Sequence, residues 1–438
     1  MSAVLYEREV AVPVGTAGPT ALAAVEQGVQ EALGAGEVAI RMAVTSSSAR
    51  EYRCEVGLVA GLSATQVPSM FKFARRPLEN TSAFNCVLLV PTGVGAEIGG
   101  HAGDATPVAA LLAAACDTLI THPNVVNASD IIDIPANALY VEGSVIARLL
   151  MGVVGLQRAR NNRMLVVLGH HDDELFVNAA INSVNAARAS YGLAVPAIVR
   201  LGPQFEMESE YTHSGRAAGR IRGLDSLLSV LEERREDFDA VAISTQIGVP
   251  PGYHAEYFES NGEMVNPWGG VEAMLTHAIS TIFDVPSAHA PMLETQEIAN
   301  SDPGVVDPRM AAEAVSLALI QCVLKGLQRS PSIVTGDAAL NHSSTVTAAD
   351  VSCLVIPDGC LGIPVLAALE QGIKVIAVTE NRNLMQNDLD RLPWQEGQFY
   401  RAANYWEAAG VMSALKAGVD PLSVRRPIIS APVLYPGN

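Results

Sequence analysis

The sequence contains no lysine between Lys72 and Lys325. An anion bound by this stretch must therefore be met by arginine, histidine, backbone N–H groups or a metal ion. Acidic residues outnumber basic ones over the 438 residues, and the formal charge is -18 with a pI near 4.9. Phosphate backbones and anionic lipid surfaces are bound by clustered Lys and Arg, so we expect no nucleic-acid partner and no membrane partner.

Paired cysteines and long apolar runs are also missing. The six cysteines are scattered without a C-x-x-C pair, which fits neither a zinc ribbon nor a disulfide framework and indicates a reducing compartment. Acid and base precede any apolar stretch of signal-peptide length, and no later window reaches the apolar length that a bilayer requires. These absences predict a soluble, cytoplasmic protein.

What the sequence does contain is an alternation of short apolar strands and small-residue helices from residue 85 onward. This pattern predicts an α/β fold with mostly parallel, Rossmann-like sheets flanked by helices. The first 80 residues predict a small α+β domain instead, with a helix over 19–33 that Gly34 ends.

The predicted domain organisation has four parts. They are a small N-terminal domain (1–80), an α/β domain with a Gly-rich loop (81–245), a candidate lid (246–270) and a second α/β segment that completes a cleft (271–438). The lid prediction rests on the length and the Gly, Pro and aromatic content of that segment, and a surface insertion is the alternative. Apolar helices such as 310–327 fit either a core or a dimer interface, which leaves a homo-oligomer open.

The Gly-rich loop reads VPTGVGAEIGGHAGDATPV over residues 90–108. Its G-x-G-x-x-x-G spacing is one residue longer than the dinucleotide fingerprint, and His101-Ala102 stand where a phosphate-binding loop requires Lys-Ser/Thr. The loop therefore predicts a backbone cradle for a carboxylate or an oxyanion, or else a turn whose glycines serve packing alone. The predicted substrate-binding residues here are Thr92, Gly93, Gly95, Gly99, Gly100 and Asp104, with His101 beside them.

Other polar residues follow predicted strands, at the end where parallel sheets bind ligands. His122 and Glu142 have side chains that suit acid/base chemistry near neutral pH, and His289 lies in a predicted Pro-flanked loop after a helix. Cys360 precedes a helix N-terminus, whose dipole lowers a thiol pKa and favours a thiolate. These four residues are the predicted catalytic groups, each with a structural role as the alternative. Further predicted substrate-binding residues are Asn124, Asn127, Asn137, Tyr140, Glu380 and Asn381.

A competing motif, LVVLGHHDDE at 165–174, resembles the A-H-P-D-D-E signature of the zinc de-N-acetylases of the LmbE and PIG-L type. The resemblance implies that His170 and Asp173 bind zinc and that Asp172 is the general base. No other cofactor is predicted. The structural alternative is an acidic helix N-terminus that the helix dipole favours.

Several motifs in the same order resemble one family, the bacterial and plastid-lineage domain of unknown function 3326. They are PTGVGAEIGGHAGDATP, THPNVVN, NALYVEG, AHAPM, AAEAVSLALIQCVLKGL and VIPDGCLGIP with VIAVTEN. The resemblance runs from about residue 85 nearly to the C-terminus. It implies a shared pocket formed by the Gly-rich loop with His122, Asn124, Asn127, Tyr140, Glu142, His289 and Cys360, and it implies no particular reaction.

These observations predict a soluble metabolic or biosynthetic enzyme that acts on a small polar, carboxylate-bearing metabolite by acid/base chemistry, as an isomerase, lyase or hydrolase. The Gly-rich loop would hold the anion. Two alternatives remain open: a zinc-dependent amidohydrolase centred on His170 and Asp173, and a non-catalytic protein that binds a small ligand in the same cleft.

Overall fold

The computed structural model describes residues 2–14, 20–62, 67–127, 134–316 and 319–433. The strands in chain order are β1 (Val4–Pro13), β2 (Glu37–Ser47), β3 (Glu51–Ala60), β4 (Asn85–Leu88), β5 (Thr118–Thr121), β6 (Ala138–Tyr140), β7 (Gly155–Gln157), β8 (Arg163–Leu168), β9 (Ala194–Arg200), β10 (Glu206–Tyr211), β11 (Ala217–Arg222), β12 (Ala240–Gln246), β13 (Ser287–Met292), β14 (Ser332–Val334), β15 (Thr345–Val346), β16 (Val351–Pro357), β17 (Leu361–Gly362), β18 (Lys374–Val378) and β19 (Phe399–Ala402). The helices are α1 (Ala21–Ala32), α2 (Thr106–Ala115), α3 (Pro123–Val126), α4 (Gly143–Leu150), α5 (Glu174–Tyr191), α6 (Leu224–Glu233), α7 (Tyr253–Glu259), α8 (Gly269–Phe283), α9 (Gln296–Ala299), α10 (Ala311–Val315), α11 (Leu319–Gln328), α12 (Asp337–Leu340), α13 (Ile363–Gln371) and α14 (Tyr405–Lys416).

Six strands form a parallel sheet in the order β19-β18-β16-β4-β5-β6. From the central pair β4 and β16, the chain proceeds outward through β5 and β6 on one side and through β18 and β19 on the other. Both central strands are buried along their whole length, as their mostly apolar sequences predict for a sheet covered on both faces. The carboxyl ends of β4, β5, β6 and β16 therefore meet at one edge.

A second parallel sheet has the order β13-β12-β8-β9. It contains the apolar runs MLVVL and AVAIS as β8 and β12. The prediction that His289 lies in a loop is wrong, because the segment Ser287–Met292 pairs with β12 along its full length. Its small residues allow the close packing that a buried strand requires, so the neighbouring prolines do not end it.

The first sixty residues contribute β1, β2 and β3 to an antiparallel sheet with the order β10-β11-β1-β3-β2-β17. These strands share their sheet with segments from residues 206–222 and 361–362. The fold is thus a mixed α/β structure, with two parallel sheets, this antiparallel sheet and a small antiparallel sheet of β14, β7 and β15. A domain boundary near residue 80 stays a prediction.

The segment 246–270 is not a continuous loop, because it contains the helix α7. Tyr257 on that helix is fully buried and Phe258 nearly so, which anchors the segment to the rest of the protein. Its movement as a lid stays a prediction. None of the helices that the structure describes is both long enough and apolar enough to cross a lipid bilayer.

A close approach between the Gly-rich loop and the antiparallel sheet gives a stability prediction. Gly93 has a φ of +79°, and a Cβ there would lie 2.5 Å from the carbonyl oxygen of Ala217. Gly192, which ends α5 with a φ of +68°, has no atom within 4 Å of such a Cβ. We expect Gly192→Ala to cost roughly 1 kcal/mol of unfolding free energy, the usual penalty of a left-handed alanine.

Gly93→Ala adds a backbone clash to that penalty, so the expected loss is about 2–4 kcal/mol in total. Urea unfolding followed by circular dichroism measures both variants. Equal losses in the two variants would show that the contact with Ala217 is not tight.

Candidate functional site

A cavity of about 190 Å³ opens at the carboxyl edge of the six-stranded parallel sheet, and we call it the main cavity. Residues that follow β4, β5 and β6 form one part of its wall, and residues of α8, β13 and α11 form another. The titratable side chains that line it are His101, His122, Glu142, His254, Glu272, His277, His289, Glu294, Glu313 and Cys322.

Glu142 and His277 form a buried pair in this wall. The Glu142 carboxylate caps α4, where it accepts hydrogen bonds from the Ser144 N–H at 2.8 Å and from the Ser144 hydroxyl. Its Oε1 lies 2.5 Å from Nδ1 of His277 on α8. Burial raises the pKa of Glu142, but the His277 and Ser144 interactions outweigh it and the pKa is lowered. Glu142 is therefore an ionised carboxylate in close contact with Nδ1 of His277, although the angle at that nitrogen is not that of a hydrogen bond.

The other nitrogen of His277, Nε2, makes no hydrogen bond to the described residues, and the side chain is 17% exposed. The ring packs against Gly143, where an added Cβ would lie 3.1 Å from Cε1. An imidazole fixed by a carboxylate at one nitrogen and open at the other is the arrangement of a general base and its orienting group.

His277, on α8, is not among the catalytic residues predicted from the sequence. A signal was present in the sequence, since Thr276 and His277 are polar and follow Glu272 by four and five residues on a mostly apolar helix. All three line the main cavity.

His122, which follows β5, also lines the main cavity. Its Nε2 accepts a hydrogen bond from the Val90 N–H at 3.1 Å, so the neutral ring carries its proton on Nδ1. Burial, opposed by the charge of Glu142 and reinforced by His277, lowers the pKa of His122 to about 4. At neutral pH His122 is consequently an uncharged hydrogen-bond donor and not a base.

His289 has both ring nitrogens occupied. Nδ1 lies 2.8 Å from Oε1 of Glu272, and Nε2 lies 2.8 Å from the hydroxyl of Thr245. Its side chain is fully buried, whereas the Glu272 carboxylate is 23% exposed toward the cavity. Because neither nitrogen is open, His289 fits a positioning role for Glu272 better than the proton-transfer role predicted for it.

The Gly-rich loop binds acceptors of the protein itself. The N–H groups of Glu97, Ile98, Gly99 and Ala102 donate to Arg382 O at 2.9 Å, Asn381 Oδ1 at 2.9 Å, Asp104 Oδ1 at 2.7 Å and Glu313 Oε1 at 2.6 Å, respectively. These four amides are not open to a ligand anion. The predicted backbone cradle for a carboxylate or an oxyanion is therefore corrected at these positions to a set of internal hydrogen bonds.

The loop still contributes Thr92, Gly93 and Gly100 to the wall of the main cavity, whereas Gly95 and Gly99 lie outside it. Asp104 serves as the acceptor for Gly99 N–H and therefore supports the loop. Its predicted role as a substrate ligand is replaced by this structural one.

The predicted residues Asn124 and Asn127 both line the cavity and both bond to neighbouring parts of the protein. Asn124 lines the cavity, but its amide donates to the carbonyls of Val90 at 2.9 Å and Gly99 at 2.7 Å. Asn127 lines it too, and its Oδ1 accepts the hydroxyl proton of Tyr140 at 2.8 Å. Both side chains thus shape the wall while they hold their neighbours in place.

Four other predicted substrate-binding residues lie outside that wall. Asn137 donates to carbonyl groups at the end of α2, and the buried Asn381 binds both backbone polar groups of Ile98. Tyr140 is buried beneath the cavity wall and Glu380 is exposed on the surface. For Asn137, Asn381 and Tyr140 the local hydrogen bonds explain the residue type without a substrate.

Cys360 is fully buried, and its burial raises the pKa of the thiol. This is opposite to the lowering that a helix N-terminus predicts, because loss of solvation disfavours the thiolate more than the helix dipole favours it. Cys360 therefore does not fit the predicted nucleophile.

The HHDDE turn does not assemble a metal centre. His170 is exposed and its Nε2 lies 3.0 Å from Asp172, while Asp173 caps α5 and accepts a hydrogen bond from Gln296. Within the described ranges no group of three His, Cys, Asp or Glu side chains is placed to hold a metal ion. The acidic helix N-terminus accounts for these residues, and His170 and Asp173 are corrected from zinc ligands to surface and capping residues.

A polar cluster at the edge of the main cavity joins the predicted residues Asp104 and His101 to Tyr257, Asn266 and Glu313, which were not predicted from the sequence. Burial raises the pKa of Asp104 and that of Glu313 each to about 7. Nδ1 of the buried His101 lies 2.8 Å from the hydroxyl of Tyr257, and Asn266 donates to both Tyr257 and Glu313. Glu313 is thus a carboxyl group that exchanges a proton near neutral pH beside the cavity.

Comparison with known proteins identifies similar sequences but no activity. A family model described as a protein of unknown function, DUF3326, matches residues 85–425. An uncharacterized lipoprotein of a Synechococcus strain is 34% identical over 342 residues, which cover 77% of this chain and 92% of the relative. No solved structure matches the chain.

The relative bears on the predicted location. Its name describes a lipoprotein, which conflicts with the expectation of a cytoplasmic protein. That expectation rested on the absence of a signal-peptide pattern and of paired cysteines, and it is withdrawn.

The carboxyl cluster gives a prediction for the pH dependence of stability. A carboxyl group whose pKa is raised by folding stabilises the protein below its unfolded pKa, and that stabilisation is lost as the pH rises through the folded pKa. For Asp104 this window runs from about 4, its unfolded value, to about 7. We expect Asp104→Asn to reduce the fall in Tm between pH 5 and pH 8.

Thermal unfolding at the two pH values measures this difference. Asp172→Asn is the matched control, because the Asp172 side chain is fully exposed, and its variant should retain the fall seen in the native protein. An Asp104→Asn profile parallel to the native one would contradict the buried, protonated carboxyl group.

Proposed function

Because the chain belongs to the DUF3326 family of proteins of unknown function, its activity has to be inferred from its own side chains, and we propose that it is an enzyme. We propose that it acts by acid/base chemistry on a small polar, carboxylate-bearing molecule, as an isomerase, lyase or hydrolase. The observation that carries this proposal is the buried Glu142–His277 pair with its open Nε2 in the main cavity.

In the proposed chemistry His277 removes a proton from the substrate through Nε2. The Glu142 carboxylate keeps the proton of Nδ1 in place and stabilises the imidazolium that forms, because opposite charges attract strongly where water is excluded. Without Glu142 the ring would be free to rotate and to bind its proton on either nitrogen.

Negative charge that develops on the substrate needs a donor. His122 is suited to this role, since it is neutral and its Nδ1–H is the donor left after Nε2 accepts from Val90. A neutral imidazole stabilises an oxyanion by a hydrogen bond without giving up its proton.

The reaction also requires an acid that returns a proton. Glu313 lines the same cavity with its pKa raised to about 7, so both of its protonation states are populated near neutral pH. Glu272, held by His289, is a second carboxyl group on the wall. The main cavity thus contains a base, a neutral donor and an acid.

We further propose that the two parallel sheets are Rossmann-like. In the larger sheet the direction of chain progression reverses between β4 and β16, and ligands of open α/β sheets bind outside the carboxyl ends at such a reversal. The Gly-rich loop follows β4 at this point, which agrees with the position of the main cavity.

Incubation of the purified protein with a panel of small oxo, hydroxy and amino acids in D₂O tests the proposal. Proton NMR detects both product formation and exchange of hydrogen for deuterium at carbon. We expect at least one compound to react, and we expect His277→Asn to reduce the rate by about 100-fold or more, the usual contribution of a general base.

His342→Asn is the matched control, because the His342 side chain is exposed and, among the described residues, its ring bonds to Ser344 alone. Its rate should equal that of the native protein. A panel in which compounds bind but none reacts or exchanges would favour the non-catalytic alternative, and an unchanged rate in His277→Asn would remove the proposed base.

A further inference from the structure

A second cavity of about 120 Å³ adjoins the main cavity, and we call it the arginine cavity. The two cavities share part of their walls, including Thr92, His122, Gly143 and His277. A ligand that occupies both would therefore pass the imidazole of His277.

The two cavities differ in the charges of their walls. Arg41, Arg148 and Arg216 line the arginine cavity, and no Asp or Glu is among the described residues of its wall. The described wall of the main cavity contains four glutamates and neither Arg nor Lys. This separation of charge favours an anionic group in the arginine cavity.

Carboxylates that lie outside this wall hold its arginines in place. Arg216 is almost completely buried, with Nε 2.7 Å from Glu55 and Nη2 bonded to Glu7. Arg41 also contacts Glu7, at 3.3 Å from Nε, and donates to the Gly270 carbonyl at 3.2 Å. A guanidinium oriented in this way loses little conformational entropy when it binds an anion.

Some buried polar atoms of this wall have no hydrogen-bond partner in the described part of the chain. They are Nη1 of Arg216 and the hydroxyl oxygen of Thr281, and Nδ1 of His277 is a third such atom on the wall that this cavity shares with the main cavity. Buried polar groups are almost always paired, and an unpaired one is costly, so a ligand that supplies an acceptor here gains a strong hydrogen bond.

The remaining wall of the arginine cavity is mostly apolar. It includes Met42, Met70, Leu89, Ile356, Leu361 and Val365. An inorganic ion would lose its water without gaining contacts on this side, whereas an organic anion would bury its carbon atoms there. The planar guanidinium groups match a carboxylate through paired hydrogen bonds.

We propose that the arginine cavity binds the carboxylate of a small organic acid, whose carbon body lies against the apolar wall and extends toward His277. The carboxylate site is argued from the arginine cavity alone. Only the approach of the ligand to His277 rests on the proposed function. The anion is thus placed on arginines from the antiparallel sheet and its neighbourhood, and not on the Gly-rich loop.

Isothermal titration of the full chain with butyrate, hexanoate, butyramide and inorganic phosphate tests this assignment. We expect both carboxylates to bind, hexanoate more tightly, and butyramide and phosphate to bind at least tenfold more weakly. Arg41→Gln should weaken butyrate binding by roughly tenfold, because a charge-assisted hydrogen bond is lost.

Thr281→Val keeps the assignment falsifiable if the arginine variant does not fold. It removes a buried unpaired hydroxyl, so it should weaken butyrate binding without lowering Tm. Arg163→Gln is the control that changes the charge equally at an exposed position outside the cavity, and it should bind butyrate as the native protein does.

Any one of three results would overturn the proposal. Butyramide could bind as tightly as butyrate, phosphate could bind as tightly as butyrate, or butyrate binding could be unchanged in both Arg41→Gln and Thr281→Val. Butyrate binding requires no reaction, so its failure leaves the role of His277 untouched. Conversely, a protein that binds butyrate and turns over no acid would retain the carboxylate site and lose the proposed enzyme.

Discussion

The carboxylate of Glu142 is removed from water, and the charge needs hydrogen-bond donors around it. Ser144, within the first turn of α4, supplies two of them, and Nδ1 of His277 on α8 lies 2.5 Å from the carboxylate. This requirement joins α4 to α8, which also packs on β11 and β13. The buried Glu142–His277 pair consequently lies where a helix from each side of the cavity meets, and the position of the site depends on it.

Charge is distributed around that pair in a simple way. Glutamates line the main cavity on one side and arginines line the smaller cavity on the other, with His122 and His277 at the shared wall. The absence of lysine between Lys72 and Lys325 is consistent with this arrangement, because arginine can be buried and oriented by carboxylates while remaining charged.

The Gly-rich loop shows why a correct motif can suggest the wrong ligand. Its glycines do adopt backbone conformations that direct N–H groups inward, yet the amides of Gly99 and Ala102 bind Asp104 and Glu313. Carboxylates of the protein occupy the positions that a substrate anion was expected to take. The loop is thereby fixed in shape, and its contribution to a ligand is the wall at Thr92 and Gly93.

Sequence alone determined the features that depend on local order. The apolar runs specified the parallel strands, and the rule that ligands bind at strand ends selected His122 and Glu142, which both line the cavity. Local sequence position could not reveal whether a side chain was open. His289, predicted in a loop, and Cys360, predicted before a helix, were therefore chosen although the first is fully paired and the second is buried with a raised pKa.

Only the tertiary structure decided which distant residues meet. His277 lies 135 residues after Glu142 in the chain, and the two side chains meet because α8 packs against α4. Arg41 on β2 and Arg216 just before β11 come together because β11, β1, β3 and β2 lie side by side in one sheet, with Glu7 on β1 and Glu55 on β3 between them. Burial and long-range pairing set the charge and accessibility of these groups, and neither property is encoded in a local run of residues.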